Sequence, residues 1–332
     1  MRIANLAGRL ALLTGDGAVD VSDGGLDADP DTVFDQWEAL LRWSAGVDPA
    51  TAVPYKESDL RAPVPEPRQI FAVALNYRPH TAEAGYEEPA EPLVFTKFPS
   101  CLTGPYATID LPPGHVDWEL EMVAVIGRDA YRVPEEQGWD PVVALTVGQD
   151  LSERIVQLAG RPAQFSLGKS FPGFGPVGPA LVSVDEPADR DDLELTCELV
   201  PRQATFAPSR RPARPLAAPA EIPSTSSTRA SGRHTDSTHR TPLLHGQTLP
   251  AAALDGEIVQ HDRTSNMIFP VPRLVAHLSA ICPLRPGDLI FTGTPAGVGN
   301  RRTPQRFIGP GDTLVSRIGE LGEMRHTFRS AR

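Results

Sequence analysis

Residues Val116–Asp129 read VDWELEMVAVIGRD. In an extended chain side chains alternate between faces, so Glu119 and Glu121 share one face while Trp118, Leu120 and Met122 share the other. Same-face neighbours on a strand lie roughly 6.5–7 Å apart, close enough for two flexible glutamates to converge on one cation. Their oxygens suit Mg2+, Mn2+ or Ca2+ rather than a metal that prefers sulfur. The plain alternative is a strand with one solvated face. Against that, the run continues into the apolar Val123–Ile126, which puts the glutamates at the edge of something buried.

A third acid, Asp150, follows the apolar VVALTVGQ and precedes the helix-compatible LSERIVQLAG. It therefore falls where a strand ends and a helix begins, a junction that often carries function and that an ordinary helix cap would equally occupy. In the predicted helix Arg154 and Gln157 share a face, and Asp150 and Arg154 stand four apart, as a surface salt bridge would also have them. Upstream, the strand-like IFAVAL of Ile70–Leu75 runs into Asn76-Tyr77-Arg78-Pro79-His80-Thr81-Ala82-Glu83. A short helix opened by Pro79 would bring His80 and Glu83 together. A carboxylate that fixes an imidazole's tautomer is the usual construction of a general base, although the same pair on a surface is an ordinary contact. Gly85 and Pro89 then suggest a movable lid. Lys169 sits in the glycine-proline stretch FSLGKSFPGFGPVGP, where backbone can approach a ligand closely and where a solvated lysine is the commoner outcome. Thr292 and Thr294, in LRPGDLIFTGTPAGVGN, offer hydroxyls to a ligand. With no Lys-Ser/Thr pair and no strand–GxGxxG–helix unit, neither phosphate-binding loop is present.

Composition narrows the class. Thirty-five prolines and 28 glycines in 332 residues imply many turns and short strands, hence a β-rich α+β fold. A net charge of −11 argues against a nucleic-acid partner, and three cysteines without C-x-x-C spacing argue against a disulfide framework or a zinc site. No basic segment leads into an apolar core near the start, and no apolar run reaches about 18 residues, so neither a signal peptide nor a membrane partner is expected and the protein is placed in the cytoplasm.

Met1–Val21 reads as a β-hairpin around Gly-Asp-Gly, and Pro30–Ala45 as a helix with Asp31 as its cap. Together they predict a small N-terminal unit over residues 1–62, a proline-rich linker RAPVPEPRQ, and a main domain over 63–332. LELTCEL and GEIVQ read as hairpin partners. Between them Val200–Leu254, rich in Pro, Ser, Thr and Arg, buries too little to offset the entropy of ordering and is expected to be a disordered insertion. PRLVAHLSAI predicts a helix from Pro272, and GPGDTLVSRIGEL a closing hairpin.

In this order, Asn76-Tyr77-x-x-His80-x-x-Glu83, Glu119-x-Glu121, Gly148-x-Asp150-x-Ser152-x-Arg154-x-x-Gln157, Gly168-Lys169-Ser170 and Pro286-Gly287-Asp288 with Thr292-Gly293-Thr294-Pro295-x-Gly297 resemble the fumarylacetoacetate hydrolase family. The resemblance covers residues 65–325 apart from the insertion. It implies a β-sandwich roll, a homodimer, and a divalent cation, Mg2+ or Mn2+, held by Glu119, Glu121 and Asp150. It further implies that His80 and Glu83 form a lid dyad, that Lys169 orients the reacting groups, and that Tyr77, Arg154, Gln157 and Thr294 hold substrate. The implied substrate is a small 2-oxo acid or 1,3-dicarbonyl acid, with hydrolysis of a C–C bond as the reaction. An oxaloacetate-type decarboxylase, a 2-oxo-dienoate isomerase or hydratase, and a non-catalytic accessory protein on the same fold stay open. Family members that hydrolyse fumarylacetoacetate carry a further acidic ligand before the histidine. Here Ala74-Leu75-Asn76 has none, which favours the shorter, acylpyruvase-like branch.

Overall fold

A computed structural model describes residues 1–15, 17–202 and 256–331. The insertion expected over 200–254 lies outside the described residues from 203 onward. The fold is mixed α+β and strand-rich. Its large sheet runs β3 (Gly17–Asp20), β2 (Arg9–Thr14), β1 (Arg2–Leu6), β13 (Gly175–Ser183), β11 (Val142–Gln149), β10 (Leu120–Ile126), β16 (Leu289–Phe291), β5 (Ile70–Ala74) and β6 (Leu93–Thr96). Beside this path β4 (Leu60–Arg61) pairs with β1, and β7 (Leu102–Thr103) with β13. A five-stranded sheet runs β15 (Glu257–Arg263), β14 (Glu194–Val200), β17 (Thr313–Ile318), β18 (Gly322–Ser330) and β8 (Thr108–Leu111). A short pair, β9 (Val116–Asp117) and β12 (Ser152–Glu153), closes beside the ends of β10 and β11.

β10 explains the layering. Leu120, Met122, Ala124 and Ile126 point into one core with residues of β11, β14, β17 and β18 and with Leu274, Val275 and Leu278 of the helix Val271–Ser279. Val123 and Val125 point the other way, into a second core with Ile3, Leu10, Trp37, Leu40 and Phe291. The strand is thus apolar on both faces, with each fully buried branched aliphatic contributing ~1.5–3 kcal/mol. Because the period is two, Glu119 and Glu121 continue the Val123–Val125 row toward the open end of the sheet.

Residues 1–62, expected as a separate unit, are instead built into this sheet. β1 pairs with β13, β2 and β4, and Trp37 and Leu40 of helix α1 (Trp37–Ser44) fill the second core. That helix is shorter than the pattern predicted. A single 3-10 turn, Pro30–Thr32, precedes it, and Asp29 rather than Asp31 caps that turn by accepting from the Asp31 N–H. The hairpin partners LELTCEL and GEIVQ do pair, with Cys197 opposite Gln260, and Thr313–Ile318 pairs with Gly322–Ser330. No helix among the described residues is long and apolar enough to cross a membrane.

Candidate metal centre and active-site cavity

Glu119 lies just before β10, Glu121 on it, and Asp150 one residue past β11, its antiparallel neighbour. The pairing of Glu121 with Gly148 and the Asp150 N–H donated to the Glu119 carbonyl at 2.9 Å hold the two segments in register. One oxygen of each of Glu119, Glu121 and Asp150 lies within 4.8 Å of those of the other two, and all three residues are buried.

The charges around them are arranged unevenly. Lys169, expected on a turn and 2% exposed here, donates from Nζ to Glu119 Oε2 and Asp150 Oδ2, both at 2.5 Å. Lys97, fully buried at the end of the segment after β6, donates to Asp150 Oδ1 at 2.6 Å and to the Lys169 carbonyl. Arg154 reaches Glu119 Oε1 at 2.8 Å. Glu121 has none of these cations. Among the described residues its Oε2 accepts only the Gly293 N–H, at 2.7 Å, which the left-handed φ of +97° at Gly293 makes available. Burial pushes both glutamates up, but for Glu119 the ammonium of Lys169 and the guanidinium of Arg154 more than offset it, bringing the carboxyl down to about 2. For Glu121 burial is reinforced by the charges of Asp150 and Glu119, and its carboxyl sits well above the ordinary range. Burial lowers Lys169, yet Asp150 and Glu119 raise it by more.

A buried carboxylate with no cation of its own, converging with two others, is a donor set fitted to a hard divalent ion. The residues present therefore fit the metal that the resemblance implies.

The Arg154 surroundings differ from expectation. The helix there is only Arg154–Gln157, α3 in chain order after α2 (Arg78–Ala84). Its cap is Glu153, which accepts from the Ile155 and Val156 N–H groups, so Asp150 is neither a cap nor a partner of Arg154. Arg154 instead donates to Asp117 Oδ2 at 2.6 and 2.9 Å and to Gln157 Oε1 at 2.8 Å. Asp117 also accepts the Gly299 and Asn300 N–H groups at 2.7 and 2.9 Å, tying the floor to the loop after β16.

Above the acids lies α2. His80 Nδ1 is 3.2 Å from Glu83 Oε2, and Glu83 accepts the Gly297 N–H at 3.1 and 3.2 Å. A cavity of about 610 Å³ is lined by His80, Glu119, Glu121, Arg154, Gln157, Lys169 and Thr294. Asp150 lies beneath this lining. The rest of the wall is largely apolar, including Tyr86, Leu93, Phe95 and Phe165, with Arg301 also on it.

Two expectations need correction. Tyr77 does not line the cavity: it is fully buried in the main core, because residue 77 precedes the helix and turns inward. Thr294 does line it, but its hydroxyl donates to the Leu120 carbonyl at 2.9 Å and accepts from Gln260 at 2.8 Å, which makes it a brace for β10. Lys97 and Asp117 were missed. Asp117 had a signal in the same-face spacing Asp117-x-Glu119-x-Glu121; Lys97, at the end of a strand, reads like any solvated lysine.

A family model described as the C-terminal domain of fumarylacetoacetate hydrolase matches residues 69–329. Oxaloacetate tautomerase FAHD2A, mitochondrial, of Bos taurus is 32% identical over 272 residues, which is 81% of this chain and 69% of that protein. A crystal structure of a protein named HpcE from Mycobacterium smegmatis is 41% identical, with a TM-score of 0.77 and 100% of both chains covered. Maleylpyruvate hydrolase from Sphingobium sp. SYK-6, solved with manganese(II) and pyruvate, superposes with a TM-score of 0.68 over 100% of both chains at 22% identity, a likeness of fold.

Proposed function

Because this chain belongs to the fumarylacetoacetate hydrolase family, whose members are enzymes, we propose that it is a divalent-metal-dependent enzyme that hydrolyses the C–C bond of an acylpyruvate or related 1,3-dicarbonyl acid. The observation that carries this reading is one cavity lined by both the carboxylates of Glu119 and Glu121 and the imidazole of His80. Glu119, Glu121 and Asp150 would hold a Mg2+ or Mn2+ ion, which would supply Lewis-acid polarisation of the 2-oxo acid.

The chain's own residues do the rest. With His80 Nδ1 turned to Glu83, its Nε2 is the atom left to take a proton from water, and Glu83 steadies the imidazolium that results. That water adds to the distal carbonyl, and the proton on Nε2 then goes to the departing carbon, so one water is consumed and a carboxylic acid and pyruvate leave. Lys169, held between Glu119 and Asp150, fixes the two carboxylates and orients the reacting groups from the cavity wall. Gln157, whose oxygen is taken by Arg154, has its amide N–H groups for a substrate oxygen. Leu93, Val94 and Leu158, apolar and exposed at the cavity, suit burial in a homodimer, which light scattering checks.

A second reading uses the same base without water: His80 moves a proton between the keto and enol forms of a 2-oxo acid. It is favoured by the 32% relative named as an oxaloacetate tautomerase. Mn2+-loaded protein given acetylpyruvate, oxaloacetate and a 2-oxo-dienoate separates them. Equimolar pyruvate and acetate from acetylpyruvate supports hydrolysis, while loss of the oxaloacetate enol band without pyruvate supports the second reading. Absence of any EDTA-sensitive turnover would overturn both.

A further inference from the structure

Most cationic groups on the cavity wall are already engaged. Lys169 is bound to Glu119 and Asp150, Arg154 to Asp117 and Glu119, and His80 to Glu83. Arg301 is different. It lines the same cavity, is exposed, and makes no ion pair or side-chain hydrogen bond among the described residues. Its neighbour Arg302 shows the contrast, with its guanidinium on Glu257 at 2.5 Å and on the carbonyls of Val259 and Gly297.

Nor is Arg301 on a loose segment. It ends the 3-10 turn Gly299–Arg301, whose first two N–H groups are fixed on Asp117, the same carboxylate that holds Arg154. The turn is thereby tied to the charged floor by a shared buried anchor. The wall otherwise offers Tyr86, Leu93, Phe95 and Phe165 to a carbon chain.

We infer that Arg301 is a specificity-determining residue that receives a second carboxylate, at the far end of the substrate from its 2-oxo acid head. This rests on the proposed function and adds to it the residue of this chain that reads the far end of the substrate. A planar guanidinium binds such a group through two parallel N–H bonds, and a lysine supplies the charge without the fork.

The test uses binding, so that it does not depend on which reaction is catalysed. Mn2+-loaded wild type, R301M and R301K are titrated calorimetrically with 2-oxoadipate and with 2-oxohexanoate, which differ only in a terminal carboxylate against a methyl group. Oxalate, which has no distal group, reports the metal end. Wild type is expected to prefer 2-oxoadipate by roughly tenfold or more, the scale of one well-placed ionic hydrogen bond. R301M removes that preference, and R301K keeps part of it. If oxalate binds and the two longer acids bind alike to wild type, or the preference survives in R301M, the assignment of Arg301 is overturned and the proposed function stands. If wild type takes up Mn2+ but none of the three acids, the 2-oxo acid reading falls and this inference falls with it.

Discussion

The floor and the roof of the cavity are held in opposite ways. On the floor Glu119, Glu121 and Asp150 sit on or beside the adjacent strands β10 and β11, at most 7% exposed, and Lys97, Lys169 and Arg154 clamp Glu119 and Asp150 through contacts of 2.5–2.8 Å. The roof is a seven-residue helix whose His80 and Glu83 meet at 3.2 Å and whose Glu83 accepts the Gly297 N–H on the floor side. Floor groups are fixed because several buried charges would each be costly to leave unpaired, so one geometry satisfies them all. On the roof only His80 and Thr81 are buried, and the other five residues of the helix pay little for moving. The molecule thus sets a rigid charge pattern beneath a short helix of which only two residues are buried.

The largest effect is expected at Asp150 on the floor. Asp150→Asn leaves Lys97 and Lys169 facing a neutral amide and removes one of three anionic donors. Mn2+ affinity, measured by titration calorimetry, should fall by more than ~100-fold, since disturbing even a group behind a ligand costs about 10–100-fold. On the roof, His80→Ala should lower kcat by ~10²–10⁴-fold and leave Mn2+ affinity as in wild type. A matching loss of metal in His80→Ala would mean that the roof helps to build the floor.

A smaller effect distinguishes the two glutamates. Glu121 keeps its proton in the folded, metal-free protein above the ordinary value of 4.5, where an unfolded chain has already lost it. The folded state therefore binds more protons than the unfolded one in that window, and metal-free stability falls as the pH rises from 4.5 through the raised pKa. Glu121→Gln should flatten this fall and raise metal-free stability at pH 7, while abolishing the metal's own stabilisation. Urea unfolding at several pH values, with EDTA and with Mn2+, reads both changes.

What the sequence disclosed follows the same division by range. β10, β11, the pairing of β14 with β15 and the helix Val271–Ser279 were legible because each is encoded by a local period, and so were His80 with Glu83, three apart on one short helix. The converging acids were legible as a spacing plus a junction. Partners set by long-range pairing were not. The four-residue spacing offers Asp150 as a partner for Arg154, but the helix begins only at Arg154, so Asp150 is not on it, and Asp117, 37 residues away, takes the guanidinium. Lys97 is buried only because β6 ends beside Asp150, 53 residues downstream in the chain. The union of residues 1–62 with the main sheet rests on β1 against β13, a contact that no local pattern announces.

The least intrusive way to separate roof from floor is Gly85→Ala. Gly85 closes α2 at φ +75°, with its N–H donated to the Ala82 carbonyl at 3.1 Å, and a Cβ placed there would meet nothing within 4 Å. The cost is thus conformational rather than steric, about 1 kcal/mol for a left-handed alanine. Whether that strain is felt globally depends on how α2 is attached. Only His80 and Thr81 of its seven residues are buried, so loosening the last turn should relieve the strain without opening the strands beneath. Amide exchange across residues 78–85 should then quicken by several-fold, with the amides of β10 and β11 and the Mn2+ affinity as in wild type. Unchanged exchange at the helix together with a global loss of the full amount would show instead that roof and floor unfold as one unit, and the lid reading of α2 would have to be given up.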